Sequence, residues 1–245
     1  MTRILIAGFA ESSRRWADEQ PKDVEIWGMN EAHQFLPFET HNVTRWFQIH
    51  PRDFKEKEKV AAGAPSKLPP NTFGRNEKHV KWLRECKVPL VMNRDFEDIP
   101  NAEPFPFDEV KAKFGPCFLE DGEENKPENW RLYLTSTPAY MMAYALTVVP
   151  DLEEIRFSGI ELAIGTEYYH QRPCFEWYCG YASGKGIRII RPPMGCAILS
   201  APVYAIDKPL IQPKDFNREP KLVLATMRGV AKVKQDGVKF AEVAG

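Results

Sequence analysis

Hydrophobic positions along the chain fall into short runs separated by polar punctuation, and the runs have two periods. Arg3 to Ala7 is a compact apolar block, the pattern of a strand covered on both faces. Val24 to Gly28 is a second such block, and Thr44 to His50 a third, with Trp46 and Gln48 on one face and Arg45, Phe47 and Ile49 on the other. Asn76 to Cys86 changes to helical spacing with Val80 and Leu83 inward, and Pro89 to Met92 returns to a short strand. Asp108 to Phe114 starts another helix, and an acidic loop follows from Glu120 to Asn129.

The stretch from Tyr133 to Pro193 organises the rest. From Thr137 to Val149, Tyr140, Met141, Ala143, Tyr144, Leu146 and Thr147 recur at a spacing that predicts a helix with one apolar face, and Pro138 suits its first turn. Thr135, Ser136 and Thr137 place three hydroxyls at the start of that helix, where unpaired N–H groups favour a phosphate or carboxylate. Glu154 to Ser158 reads as a strand that opens into Gly159, Ile160 and Glu161. A loop from Ala163 to Pro173 then carries Glu167, Tyr168, Tyr169, His170, Gln171 and Arg172 in one run, a composition suited to lining a pocket. The remaining elements are a helix from Phe175 to Lys185 and a strand from Ile187 to Ile190.

Strands alternating with helices predict an α/β fold, a mostly parallel twisted sheet flanked by helices in a Rossmann-like arrangement. Ligands of such sheets bind at the C-terminal ends of the strands. There the sequence places Gly8, Ser12 and Ser13 after the first strand, Asn30 after the second, His50 after the third, and Gly159 and Glu161 after the later one. Gly8 reads as a turn that lets backbone approach a ligand, although Ser12 or Ser13 capping an ordinary helix explains the same residues. The second and third glycines of a dinucleotide fingerprint are missing, so NAD binding is not expected.

Length and composition narrow the picture. The 245 residues suffice for one domain over residues 1–200 and a small C-terminal extension over 201–245, where alternation across Val230 to Phe240 predicts a hairpin. A hydrophobic share of 43% argues for a filled core, and a net charge of −1 provides no global field for nucleic acid. The lysine- and proline-rich segment 54–74 is expected to be an excursion from the domain. Five cysteines without paired spacing, together with the absence of an apolar membrane segment or signal peptide, predict a cytoplasmic protein, and Cys174 and Cys179 read as buried thiols rather than metal ligands. Among five histidines, His50 and His170 stand beside other polar groups, and no spacing predicts a protein-built metal site.

The order of Gly8 and Ser12-Ser13, Asn30, the Thr135-Ser136 helix start, and Ser158-Gly159-Ile160-Glu161 resembles the bacterial CMP-sialic-acid-dependent sialyltransferases and motility-associated-factor glycosyltransferases. The chain is also similar to a group of small phage proteins with WxxN (Trp27 to Asn30), RWFxIH (Arg45 to His50) and EYxxQRP (Glu167 to Pro173) motifs. The first resemblance implies a nucleotide held by Gly8, Ser12, Asn30, Thr135, Ser136 and Gly159, with Tyr168 and Tyr169 on the donor phosphate and His170 as base. Gly8-Phe9-Ala10-Glu11 departs from the Gly-Asn-Gly-Pro of that family.

Glycosyl transfer needs a stabilised leaving phosphate and a base for the acceptor hydroxyl. Tyr168, Tyr169, Arg172 and the helix start suit the first task, His170 or His50 the second, and Glu161 or Glu167 could orient that histidine. Arg172 could equally pair with Glu167 or Glu176. The expectation is a metal-independent glycosyltransferase without a resident cofactor, using a CMP-type nucleotide sugar. Its acceptor could be a glycan, a modified nucleobase or a protein, and homo-oligomerisation stays open. Two alternatives use the same residues: a nucleotide-binding phage accessory or virion protein without catalysis, and a nucleotide or nucleoside hydrolase.

Overall fold

The computed structural model describes residues 1–36, 38, 40–52, 72–162, 170–193, 198 and 199. Among these residues, seven strands form one sheet: β1 (Thr2–Ala7), β2 (Glu25–Met29), β3 (Val43–Gln48), β4 (Leu90–Met92), β5 (Ala102–Pro104), β6 (Leu152–Ser158) and β7 (Arg188–Ile190). The order is β5-β4-β3-β2-β1-β6-β7, and every neighbouring pair is parallel. The expected α/β sheet is therefore present. Strand order runs outward from β1 to β5, then reverses on the other side of β1 with β6 and β7. Such a reversal leaves a crevice where two connections depart to opposite sides.

Why the sheet is buried follows from its central residues. Ile4 and Ile6 of β1 join Trp27, Met29, Phe47, Val91, Ile155 and Phe157 in a cluster on one face. Leu5 and Ala7 join Ile26, Trp46, Leu90 and Met92 on the other. Continuous apolar runs, rather than alternation with polar residues, are what a sheet covered twice requires. The helices α1 (Glu77–Glu85), α2 (Phe107–Phe114), α3 (Thr137–Val148) and α4 (Arg172–Gly184) supply the cover. α1 covers the second face through Val80 and Leu83. The other three helices contribute to the first cluster through residues such as Phe114, Met141, Ala145 and Tyr178.

α3 differs from expectation in one respect. Its spacing predicts a single apolar face, but Thr137 to Ala139 and Met141 to Leu146 are all buried. The helix packs against α2 and α4 as well as the sheet, so small residues such as Ala143 and Ala145 serve where a surface helix would carry charge. α4 also begins earlier than predicted, placing Arg172 in its first turn rather than in the preceding loop. The short edge strand β5 was not foreseen; it has one half-buried and two exposed residues and ends in Pro104. The expected excursion lies outside the described residues except at its C-terminal end, and the expected C-terminal hairpin lies wholly outside them.

Among the described residues, no helix is long and apolar enough to cross a membrane.

Candidate functional site

At the β1/β6 switch point two glycine turns press together. The Gly8 N–H donates to the Ser158 carbonyl (2.8 Å), and the Ala10 N–H to the Gly159 carbonyl (2.9 Å). A Cβ on Gly8 would stand 2.4 Å from the Gly159 carbonyl oxygen. One on Gly159, whose φ is +63°, would stand 2.6 Å from the Gly8 carbonyl group. Sequence reasoning explains Gly8 by close approach of a ligand; in the structure the close approach is that of Gly159. Ser13 completes the join, its buried hydroxyl accepting the Gly159 N–H at 3.0 Å. It occupies the N-cap position of a 3-10 turn over Arg14–Glu19 without capping it, while Ser12 is exposed.

Asn30 leaves β2 beside this point. Its φ is +47°, in the left-handed region that ordinary residues avoid. Only 8% of the residue is exposed, and its side-chain oxygen is buried without a hydrogen-bond partner among the described residues. The carbonyl oxygen accepts from Trp46 Nε1 at 3.0 Å, which holds the turn in place. Ser158, the last residue of β6, is fully buried, and its hydroxyl also has no partner among the described residues. Thus both strands that flank β1 end in an orphaned polar atom.

The start of α3 lies on this edge of the sheet because the connection leaving β5 must return to begin β6. Ser136 caps the helix by accepting the Ala139 N–H (3.3 Å), Pro138 has no N–H, and Thr137 is buried. Thr135 is exposed, and its hydroxyl donates to the Gln171 carbonyl at 3.4 Å. The helix start and the beginning of α4 are therefore joined.

From the polar run after β6, Glu167, Tyr168 and Tyr169 lie outside the described residues. His170 is exposed and Glu161 half-buried. Arg172 Nε donates to Glu176 at 2.9 Å, and the same Glu176 oxygen accepts the Leu199 N–H at 2.9 Å. The structural ion pair is thus the arrangement this arginine adopts.

His50, half-buried beyond the end of β3, belongs to a histidine group that sequence inspection missed. His79, fully buried in the first turn of α1, contacts Gln48 Oε1 through Nε2 (2.8 Å) and His33 Nε2 through Nδ1 (2.9 Å). His33 stacks on Trp82 with ring centroids 4.1 Å apart. With the glutamine carbonyl accepting, His79 donates from Nε2 and accepts at Nδ1, so His33 donates from Nε2. Burial lowers both pKa values to about 4, assisted at His33 by His79 and at His79 by His50. Both rings are neutral at pH 7. Nothing in the local sequence links positions 33, 48 and 79; only the adjacency of β2, β3 and α1 does so.

An acidic hub stands farther along the same edge. Arg52 grips Asp98 with two bonds (2.6 and 2.5 Å), and Arg84 adds two more (3.0 and 2.5 Å). These bonds hold the Asp98 carboxyl far below the usual carboxylate range. Cys174 and Cys179 are buried, as expected, and Cys86 is buried too, whereas Cys117 is exposed. No group of three or more potential metal ligands occurs among the described residues.

Comparison of the chain with protein families, curated proteins and solved structures finds no match.

Proposed function

We propose that this protein binds a nucleotide at the C-terminal edge of its sheet, across the β1/β6 switch point, and that the nucleotide forms part of a CMP-type activated sugar. Asn30 carries the reading. A non-glycine residue in a left-handed conformation, with a buried acceptor left unpaired, costs stability that a bound hydroxyl or base amine would recover. It stands at the end of the strand next to the crevice, a position from which such folds contact a ribose. Ser158 offers a second orphaned group at the other neighbour of β1. The resemblance of the Gly8, Asn30, Thr135-Ser136 and Gly159 segments to sialyltransferases supports glycosyl transfer as the reaction. In that reaction His170 takes the acceptor proton, while Tyr168 and Tyr169 support the leaving phosphate without a metal ion.

Binding without transfer is a second reading, favoured by one observation. The amides of Gly8, Ala10 and Gly159 are engaged within the protein, which reduces the number that could cradle a phosphate.

Thermal unfolding with CMP, UDP, GDP and other nucleotides, with and without Mg²⁺, tests the proposal. A ligand at about 100 times its Kd adds roughly 2.7 kcal/mol and raises Tm visibly. Asn30→Gly removes the amide while permitting the same backbone, so this variant is expected to match or exceed wild-type stability and to bind at least about tenfold more weakly. If no nucleotide raises Tm, or if Asn30→Gly binds as well as wild type, the assignment fails. With a donor in hand, His170→Ala separates the two readings: slower turnover supports transfer through this residue.

A further inference from the structure

At the opposite edge of the sheet, where β2 and β3 begin, lies a cavity of about 580 Å³ whose lining includes Asp18, Lys22, Val24, Ile26, Thr40 and His41. His41 has only 9% of its side chain exposed, and both ring nitrogens are engaged: Nε2 with Asp18 Oδ1 at 3.0 Å, and Nδ1 with Thr40 Oγ1 at 2.8 Å. A carboxylate can only accept, so in the neutral form of the ring, the one that can act as a base, Nε2 carries the hydrogen. Nδ1 is then the lone-pair nitrogen, and the Thr40 hydroxyl donates to it. Hydroxyl, imidazole and carboxylate stand in the relation that activates an oxygen nucleophile, with the histidine oriented by a third group. A purely structural network would tie the β2–β3 connection to the turn containing Asp18, but would need no cavity lined by all three residues.

We propose that Thr40, His41 and Asp18 form a second reactive site, an acyl-transfer centre for small carboxylic esters, independent of the nucleotide site. Thr40 Oγ attacks the ester carbonyl carbon while its proton passes to His41 Nδ1, and the carbonyl electron pair moves onto oxygen. Asp18 supports the imidazolium, and Lys22 supplies positive charge to the same cavity. Collapse of the oxyanion breaks the bond to the alcohol, which leaves with the proton from His41. Water then attacks the acyl-threonine by the same route, its proton going first to His41 and then to Thr40. The products are a carboxylic acid, an alcohol and the free hydroxyl.

The test uses the whole chain with p-nitrophenyl acetate, followed by peptide mapping of acid-quenched samples. Hydrolysis by wild type is expected to exceed that by Thr40→Ala and His41→Gln by about 100-fold or more, with Thr40→Ser restoring it. The peptide containing Thr40 is expected to carry one acetyl group in wild type. Equal rates in wild type and Thr40→Ala overturn the proposal. So does acetylation confined to lysines or other residues, a result that needs no variant to fold. Nucleotide binding plays no part in either readout, so the two sites stand or fall separately.

Discussion

Gly8 and Gly159 occupy the same contact, but only Gly159 combines a close neighbour with positive φ. Gly159→Ala introduces both backbone strain and a clash with the Gly8 carbonyl, a combined cost of about 2–4 kcal/mol. Gly180 is the opposite case, an exposed residue inside α4 with nothing within 4 Å of an added Cβ. Gly180→Ala is expected to raise stability by about 0.5–1 kcal/mol. Urea unfolding of the two variants checks the contrast, and a neutral Gly159→Ala would contradict the packing of the switch point. His33 and His79 give a pH dependence at the same scale. Their folded pKa values of about 4 lie below the ordinary 6.5, so the unfolded chain binds more protons throughout that interval. Their contribution is complete above about pH 6.5 and is lost as pH falls toward 4. After allowance for the half-exposed His33 and the coupling of the rings, the loss is about 2–3 kcal/mol. Denaturant midpoints measured from pH 7 to 4 are expected to fall less steeply in His79→Gln than in wild type.

Elements were legible where local chemistry decides them. The apolar runs of β1, β2, β3 and β6 announce buried parallel strands, and Ser136 with Pro138 marks the start of α3. The all-round burial of α3 was hidden because it depends on what α2 and α4 bring to it. β5 escaped notice for a related reason: Ala102, Glu103 and Pro104 have little strand character of their own and pair only because β4 provides a partner. Of the candidate site, the glycines and Asn30 could be placed at strand ends from sequence, and the structure brings Gly8, Ser13 and Gly159 into contact. The histidine chain and the Thr40-His41-Asp18 arrangement could not be read this way, since their partners lie on separate elements. The sequence also could not show that Gly8 serves Gly159, because the turns are separated by 151 residues, the difference between positions 159 and 8.

For the whole molecule, strand order places β1 inside the sheet, between β2 and β6, although it is made first. A chain ending at residue 150 retains β1 to β5 and α3, but leaves one edge of β1 bare. It also removes Ile155, Phe157, Phe175 and Tyr178 from the larger core cluster. Such a fragment is expected to show no cooperative urea transition; a sharp one would place the folding unit within the first 150 residues.

The β1–β6 pairing has a further consequence during synthesis. At about 5–20 residues per second, roughly eight to thirty seconds separate the emergence of Ala7 from that of Ser158. Throughout that interval the apolar edge formed by Ile4 to Ala7 has no β6 to close it, and other nascent chains or chaperones can reach it first. Substitutions that slow the docking of β6 would then act by lowering the yield of folded protein, even where the finished molecule is unharmed.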